Sequence, residues 1–195
     1  MKKFMLLALL SAFVFSVNSY AGDPLEKAAK KQAKSMKKEG WNVAPGAKPL
    51  EMQLYKGMTM EEPEYYKSTN AATAGFQSAA KLQAEAAARR DIVAKIKTEI
   101  AGIIKTNEAN RQITADEATS INQTLSKSEQ LIGGTLHQTI TAVEVYRKTP
   151  NGNVEASITM CYPASAAKQA AQEVIREELL KESEDLATSF DKAMK

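Results

Sequence analysis

Val143-Glu144-Val145-Tyr146-Arg147-Lys148-Thr149-Pro150-Asn151-Gly152-Asn153-Val154-Glu155-Ala156-Ser157-Ile158 is the stretch that decides the fold. Apolar and polar residues alternate on both sides of Pro150-Asn151-Gly152-Asn153, and Asn-Gly is the favoured centre of a two-residue type I′ turn. The reading is a hairpin whose strands occupy residues 135–148 and 153–162. A two-residue turn sets Val143 opposite Met160 and Val145 opposite Ile158, on one buried face with Val154 and Ala156. It sets Lys148 opposite Glu155 on the other face, an opposite-charge cross-strand pair. Leu136 and Ile140 fall out of phase with Val143, which predicts a bulge near Ala142.

Helical periodicity flanks the hairpin on both sides. Leu82, Ala86, Val93, Ile96, Ile100 and Ile103 recur at steps of three, four and seven, predicting one long helix over residues 76–106. Thr114-Ala115-Asp116-Glu117 matches a capping box that starts a second helix. Ala118, Ile121, Leu125 and Ile132 line one face of it, and Gly133-Gly134 ends it. After the hairpin, Pro163 opens a last helix with Ala171, Ile175, Leu179, Leu186 and Phe190 along its inner side. Residues 65–73 read as one more strand. Together these elements predict an α+β fold: a small antiparallel sheet, strand plus hairpin, packed on one face by long helices.

Residues 22–63 precede that module, which spans residues 64–195. Leu25, Ala28, Ala29, Ala33 and Met36 predict a basic helix over residues 25–39, stopped by Gly40. Trp41-Asn42-Val43 reads as a short extended piece, and residues 44–49 as a Pro/Gly-containing linker. Pro49 then opens a short helix carrying Leu50, Leu54 and Met58. Charge is segregated along the chain. Residues 22–40 hold six lysines against Asp23, Glu26 and Glu39, whereas residues 173–195 hold seven acids against four basic residues. The basic helix could therefore meet an anionic membrane surface weakly, or the acidic C-terminal helix of its own or another copy. Its alanine-rich apolar face is poorly suited to entering lipid.

Residues 1–21 set the compartment. Lys2 and Lys3, the apolar run from Phe4 to Val17 and the small residues of Ser19-Tyr20-Ala21 form a cleavable signal peptide, cut after Ala21. That run is shorter than the roughly 20 residues a transmembrane anchor needs. The expected location is the periplasm or the exterior. Without Lys2 and Lys3 the chain holds 24 basic against 23 acidic residues, a balance that carries no nucleic-acid footprint. The single cysteine, Cys161, excludes an internal disulfide.

The residues that carry chemistry are sparse. His137 is the only histidine, and G-x-S-x-G, C-x-x-C and H-x-x-x-H spacings are absent. His137 therefore reads as an ordinary strand residue. Ser35-Met36-Lys37-Lys38 and Ser165-Ala166-Ala167-Lys168 fit S-x-x-K but lack the partner S-D-N and K-T-G elements. Met58-Thr59-Met60, with Met52, would suit soft Cu(I), although methionine more often fills packing gaps. Glu85, Asp91 and Glu99 sit beside Arg or Lys in the manner of a solvated helix face. Cys161 falls on the face with Ser157 and Thr159, opposite the valines, and reads as structural. No catalytic, cofactor-binding or metal-binding residue is assigned.

Gly75-Phe76, the Ala84–Ile92 run, Ile96-Lys97-Thr98-Glu99-Ile100 and the hairpin itself give the chain a resemblance from Tyr65 to about Ala171. It resembles the exported bacterial envelope family that includes the Lpp-twenty-type lipoproteins and the amino-terminal module of flagellar T-type proteins. Trp41 to Gly46 also looks like a leader found before this module. The resemblance implies a small α+β module that binds or assembles at the cell envelope, with no catalytic residues. The lipid-modified cysteine of the lipoprotein branch is missing here. The expectation is a non-enzymatic exported accessory protein acting through contacts with an envelope protein or with itself. The alternative is a periplasmic carrier of a small ligand or copper. The surfaces expected to make contact are the open hairpin edge, residues 65–73 and the basic helix 25–39.

Overall fold

The computed structural model describes residues 23–137 and 139–195, so the signal-peptide reading lies outside the described residues. Asp23 caps the first helix, α1 (Pro24–Lys38), by accepting the Leu25 N–H, and Trp41 to Val43 then runs extended. Pro49 leads into α2 (Leu50–Thr59), and β1 (Tyr65–Ala74) follows. Next come α3 (Gln77–Ala109), α4 (Ala115–Lys127), α5 (Glu129–Thr135), β2 (Ile140–Lys148), β3 (Val154–Pro163), α6 (Ala164–Glu182) and α7 (Glu184–Ala193). The fold is α+β, with N-terminal helices added to a three-stranded antiparallel sheet of order β1-β3-β2. β3, the last strand in sequence, is the central one.

The long helices cover one face of the sheet, as expected. Ala80, Ala84, Ala88, Ile92, Ile96 and Ile100 of α3 are buried, and they meet Tyr66, Tyr146, Ala156, Ile158 and Met160 in the main core. Full burial of an isoleucine such as Ile96 or Ile158 contributes about 1.5–3 kcal/mol. The first half of this seam is alanine rather than the expected Leu82 and Ala86. Leu82 is 66% exposed, because methyl side chains let the helix axis lie close to the sheet and turn Leu82 outward. The second half follows the expected phase, except that Ile104 takes the buried position and Ile103 is only half-buried.

The N-terminal helices cover the other face. Ala29 and Ala33 of α1 and Leu50 and Leu54 of α2 form a second core with Val143, Val145 and Cys161. Gly57 allows this approach: a Cβ there would lie 3.3 Å from a Val143 methyl. Arg147 stacks over the Trp41 ring at 4.4 Å and pairs with Glu155 at 2.7 Å, closing the rim of this core.

The hairpin register differs by one residue from the expected one. Val143 faces Thr159, Val145 faces Ser157, and Arg147, not Lys148, faces Glu155. The cause is the turn. Pro150 occupies its second position, the Thr149 carbonyl accepts the Gly152 N–H, and only Gly152 has positive φ, at +84°. A type I turn followed by a left-handed glycine makes a three-residue loop, whereas type I′ would need Asn151 at positive φ as well. The valines consequently share a face with Cys161 and lie opposite Ile158. The expected bulge is present, between Thr141 and Val143.

Two predicted helices are broken, both at serines. Ser128 ends α4, donating its hydroxyl to the Thr124 carbonyl, and Gly133 and Gly134 lie inside the following α5. Ser183 turns extended between α6 and α7 and caps α7 by accepting the Asp185 and Leu186 N–H groups. The Thr114 capping box forms as expected. The first strand of the hairpin, β2, begins at Ile140, so His137 sits exposed in a turn ahead of it rather than in a strand.

Candidate functional site

The two outer edges of the sheet differ. On β2 the outward backbone groups belong to the even-numbered residues, and those at the centre of the strand are occupied. Asn42 exchanges two hydrogen bonds with Tyr146, both 2.8 Å, and the Gln53 side chain accepts the Glu144 N–H at 2.8 Å. Gln53 is itself buried and fixed by donating to the Lys48 carbonyl at 2.7 Å. The hairpin edge, expected to be open, is therefore covered at its centre by the segment that precedes the module.

On β1 the even residues face β3, as the bond from the Ala164 N–H to the Glu64 carbonyl indicates at the start of the ladder. Lys67, Thr69, Ala71 and Thr73 therefore turn their N–H and C=O groups outward. Lys95 of α3 reaches the Lys67 carbonyl at 2.9 Å and Glu62 at 2.7 Å. Beyond Lys67, Thr69, Ala71 and Thr73 have no backbone partner on that side among the described residues. Residues 68–75, Ser-Thr-Asn-Ala-Ala-Thr-Ala-Gly, carry no charge and no proline, the devices that usually blunt an edge strand.

The strand is held rigidly beneath this edge. Asp91 of α3 accepts from Ser68 at 2.9 Å and from Asn70 at 2.6 Å, and these donors hold its carboxyl below the ordinary aspartate range. Glu99 accepts from Lys168 at 2.5 Å and from the Tyr66 hydroxyl, which holds it below the ordinary glutamate range. Burial and that carboxylate together push the Tyr66 phenol well up. Asp91 and Glu99 thus clamp β1 to α3, where the sequence suggested a solvated face. Thr69 and Thr159 share a 2.8 Å hydroxyl hydrogen bond on the other face.

Beside the edge runs an open groove of about 900 Å³, with Ala71 and Ala72 on one side, Leu82, Ala86, Arg89, Arg90 and Val93 of α3 beneath, and Glu129 and Gly133 of α5 opposite. Phe76, two residues past the end of β1, is 65% exposed. Of the groove's acids, Glu129 pairs with Lys97 at 2.7 Å, while Glu85 lies 3.7 Å from Lys81, whose closer partner is Glu144 at 2.7 Å. Arg89 and Arg90 have no ion-pair partner among the described residues.

The other sequence candidates are scattered. Met58 and Met60 pack against the second core beside Met36, while Met52 is exposed on α2. Among the described residues no group of three His, Cys, Asp or Glu side chains is placed to hold a metal. Ser35 donates to Glu39 at 3.2 Å, and the Lys168 amine near Ser165 is engaged by Glu99. Cys161 is buried, and burial pushes its thiol up, away from the reactive thiolate. Lys27, Lys31, Lys34 and Lys38 project from α1 without ion-pair partners among the described residues, whereas Lys30 and Lys37 pair with Glu26 and Glu51. α1 packs on α2, and the acidic α6 and α7 belong to the core on the opposite face of the sheet. No helix among the described residues is long and apolar enough to cross a membrane.

Compared with protein-family models, curated proteins and solved structures, the chain matches none of them. The sequence points to residues 65–73 as a contact surface, but not to the groove beside them or to which edge of the sheet stays open. The signal was there in part, as an uncharged strand-forming run at residues 68–75.

Proposed function

We propose that this is a non-enzymatic accessory protein of the bacterial envelope, exported by cleavage after Ala21 to the periplasm or beyond, that works by strand addition to β1. The partner is an envelope protein or a second copy. The observation that carries this reading is the contrast between the edges: Asn42 and Gln53 cover the centre of β2, while Thr69, Ala71 and Thr73 present unpaired backbone groups. A rigid edge with free donors and acceptors offers main-chain affinity at little ordering cost. The resemblance to the Lpp-twenty and flagellar T-type module fits the same reading.

The test is crosslinking in cells of the tagged full chain, compared with a Thr69→Lys/Thr73→Lys variant. Lysines at these exposed positions leave the β3 ladder intact and obstruct the outer edge. Defined adducts, to an envelope protein or to a second copy, should form with the wild-type chain and be lost from the folded variant. Adducts that persist unchanged in the variant refute the edge as the contact.

A further inference from the structure

We infer that the β1 edge takes an extended peptide segment that carries carboxylates, read by Arg89 and Arg90. This rests on the strand-addition reading and names the chemistry of its partner. A strand added beside Thr69–Ala74 places alternate side chains over the α3 face of the sheet, where the groove lies. Its floor offers methyl and isobutyl surface at Ala86 and Leu82, which suits small or β-branched residues. Charge then selects among such peptides. Glu129 is held by Lys97 and Glu85 leans on Lys81, which Glu144 shares, so the charges in the groove without an ion-pair partner among the described residues are the two guanidinium groups. Asp91, the remaining acid beside the strand, is turned to Ser68 and Asn70 and has Arg90 and Lys95 beside it. Guanidinium groups bind carboxylates bidentately, and a lysine placed there would instead meet like charge.

A second copy's β1 supplies no carboxylate over residues 68–75, so the inference commits to a peptide of another sequence. The probe is a fluorescein-labelled nonapeptide of alternating threonine and valine with two glutamates on one face. Its counterpart carries lysine at both glutamate positions. Binding to the full chain is read by fluorescence anisotropy at low and at physiological salt. The glutamate peptide should bind about tenfold more tightly than the lysine peptide, the scale expected of two partly exposed ion pairs, with the gap narrowing as salt rises. Arg89→Glu/Arg90→Glu should invert the preference, and Arg89→Ala/Arg90→Ala should abolish it. Both variants are checked for an unchanged far-ultraviolet spectrum.

Equal binding of the two peptides, or a preference that survives both arginine variants, overturns the inference. So does failure of both peptides to bind. The strand-addition reading fails separately, if Thr69→Lys/Thr73→Lys leaves binding and crosslinking in cells unchanged.

Discussion

The Glu144 N–H donates to the Gln53 side-chain Oε1 at 2.8 Å, across 91 residues of chain. This one bond, with the Asn42–Tyr146 pair beside it, ends the sheet at β2. It makes residues before the module part of its architecture rather than a detachable leader. It also leaves β1 as the edge available for pairing.

Replacing Gln53 by alanine should destabilise the protein by about 1–3 kcal/mol, because the half-buried Glu144 N–H loses its partner. Thermal unfolding gives the magnitude, and hydrogen exchange gives the place: the Glu144 amide should exchange faster while the β1–β3 ladder stays protected. An unchanged melting temperature would show that the contact contributes nothing.

Gly152→Ala should cost about 1 kcal/mol, since the residue stands at φ +84°, where a Cβ is strained. Asn151→Ala should cost less, because Asn151 lies outside the positive-φ region. Denaturant unfolding of the two variants distinguishes this turn from type I′, which would make both substitutions costly.

The capping box that starts α4 also reaches α7, through the hydrogen bond that Ser189 donates to Glu117 at 2.5 Å. Thr114→Ala should therefore lower stability by about 1 kcal/mol, whereas Thr114→Ser should retain most of it. Equal melting temperatures for the two would contradict the cap.

Stability should fall on acidification. Glu99, held down by Lys168 and Tyr66, and Glu117, held down by Ser189 and Thr114, both lie below the ordinary glutamate value of 4.5. A lowered folded-state value means that the stabilisation is fully present above the ordinary value and is lost as pH drops below it. Urea midpoints should be flat between about pH 7 and 5.5 and decline towards about pH 3. Glu117→Gln should flatten part of that decline. Constant midpoints across the whole range would contradict these contacts.

Local pattern carried the sequence reading a long way, and non-local pairing limited it. The hairpin, its bulge and the Thr114 cap depend on neighbours in sequence, and each was legible. The register was misread because Asn151-Gly152 dominated a turn that Pro150 determines. The α3 seam was misread because Leu82 outweighed Ala80, Ala84 and Ala88 in hydrophobicity, although close packing on a sheet favours the smaller side chains. The breaks at Ser128 and Ser183 rest on single side-chain bonds with no periodic signature. The candidate site was least legible of all. Which edge stays open depends on β3 inserting between β1 and β2, and on Asn42 and Gln53 folding back onto β2 from about a hundred residues away.

The central claim is that β1 is the edge at which this protein meets its partner. The most direct measurement is photo-crosslinking in cells from a photoreactive residue placed at Ala71, against the same residue placed at Tyr55 on the outer face of α2. The account predicts one defined adduct from position 71, removed by Thr69→Lys/Thr73→Lys, and none from position 55. Adducts from position 55 with none from position 71 would contradict it.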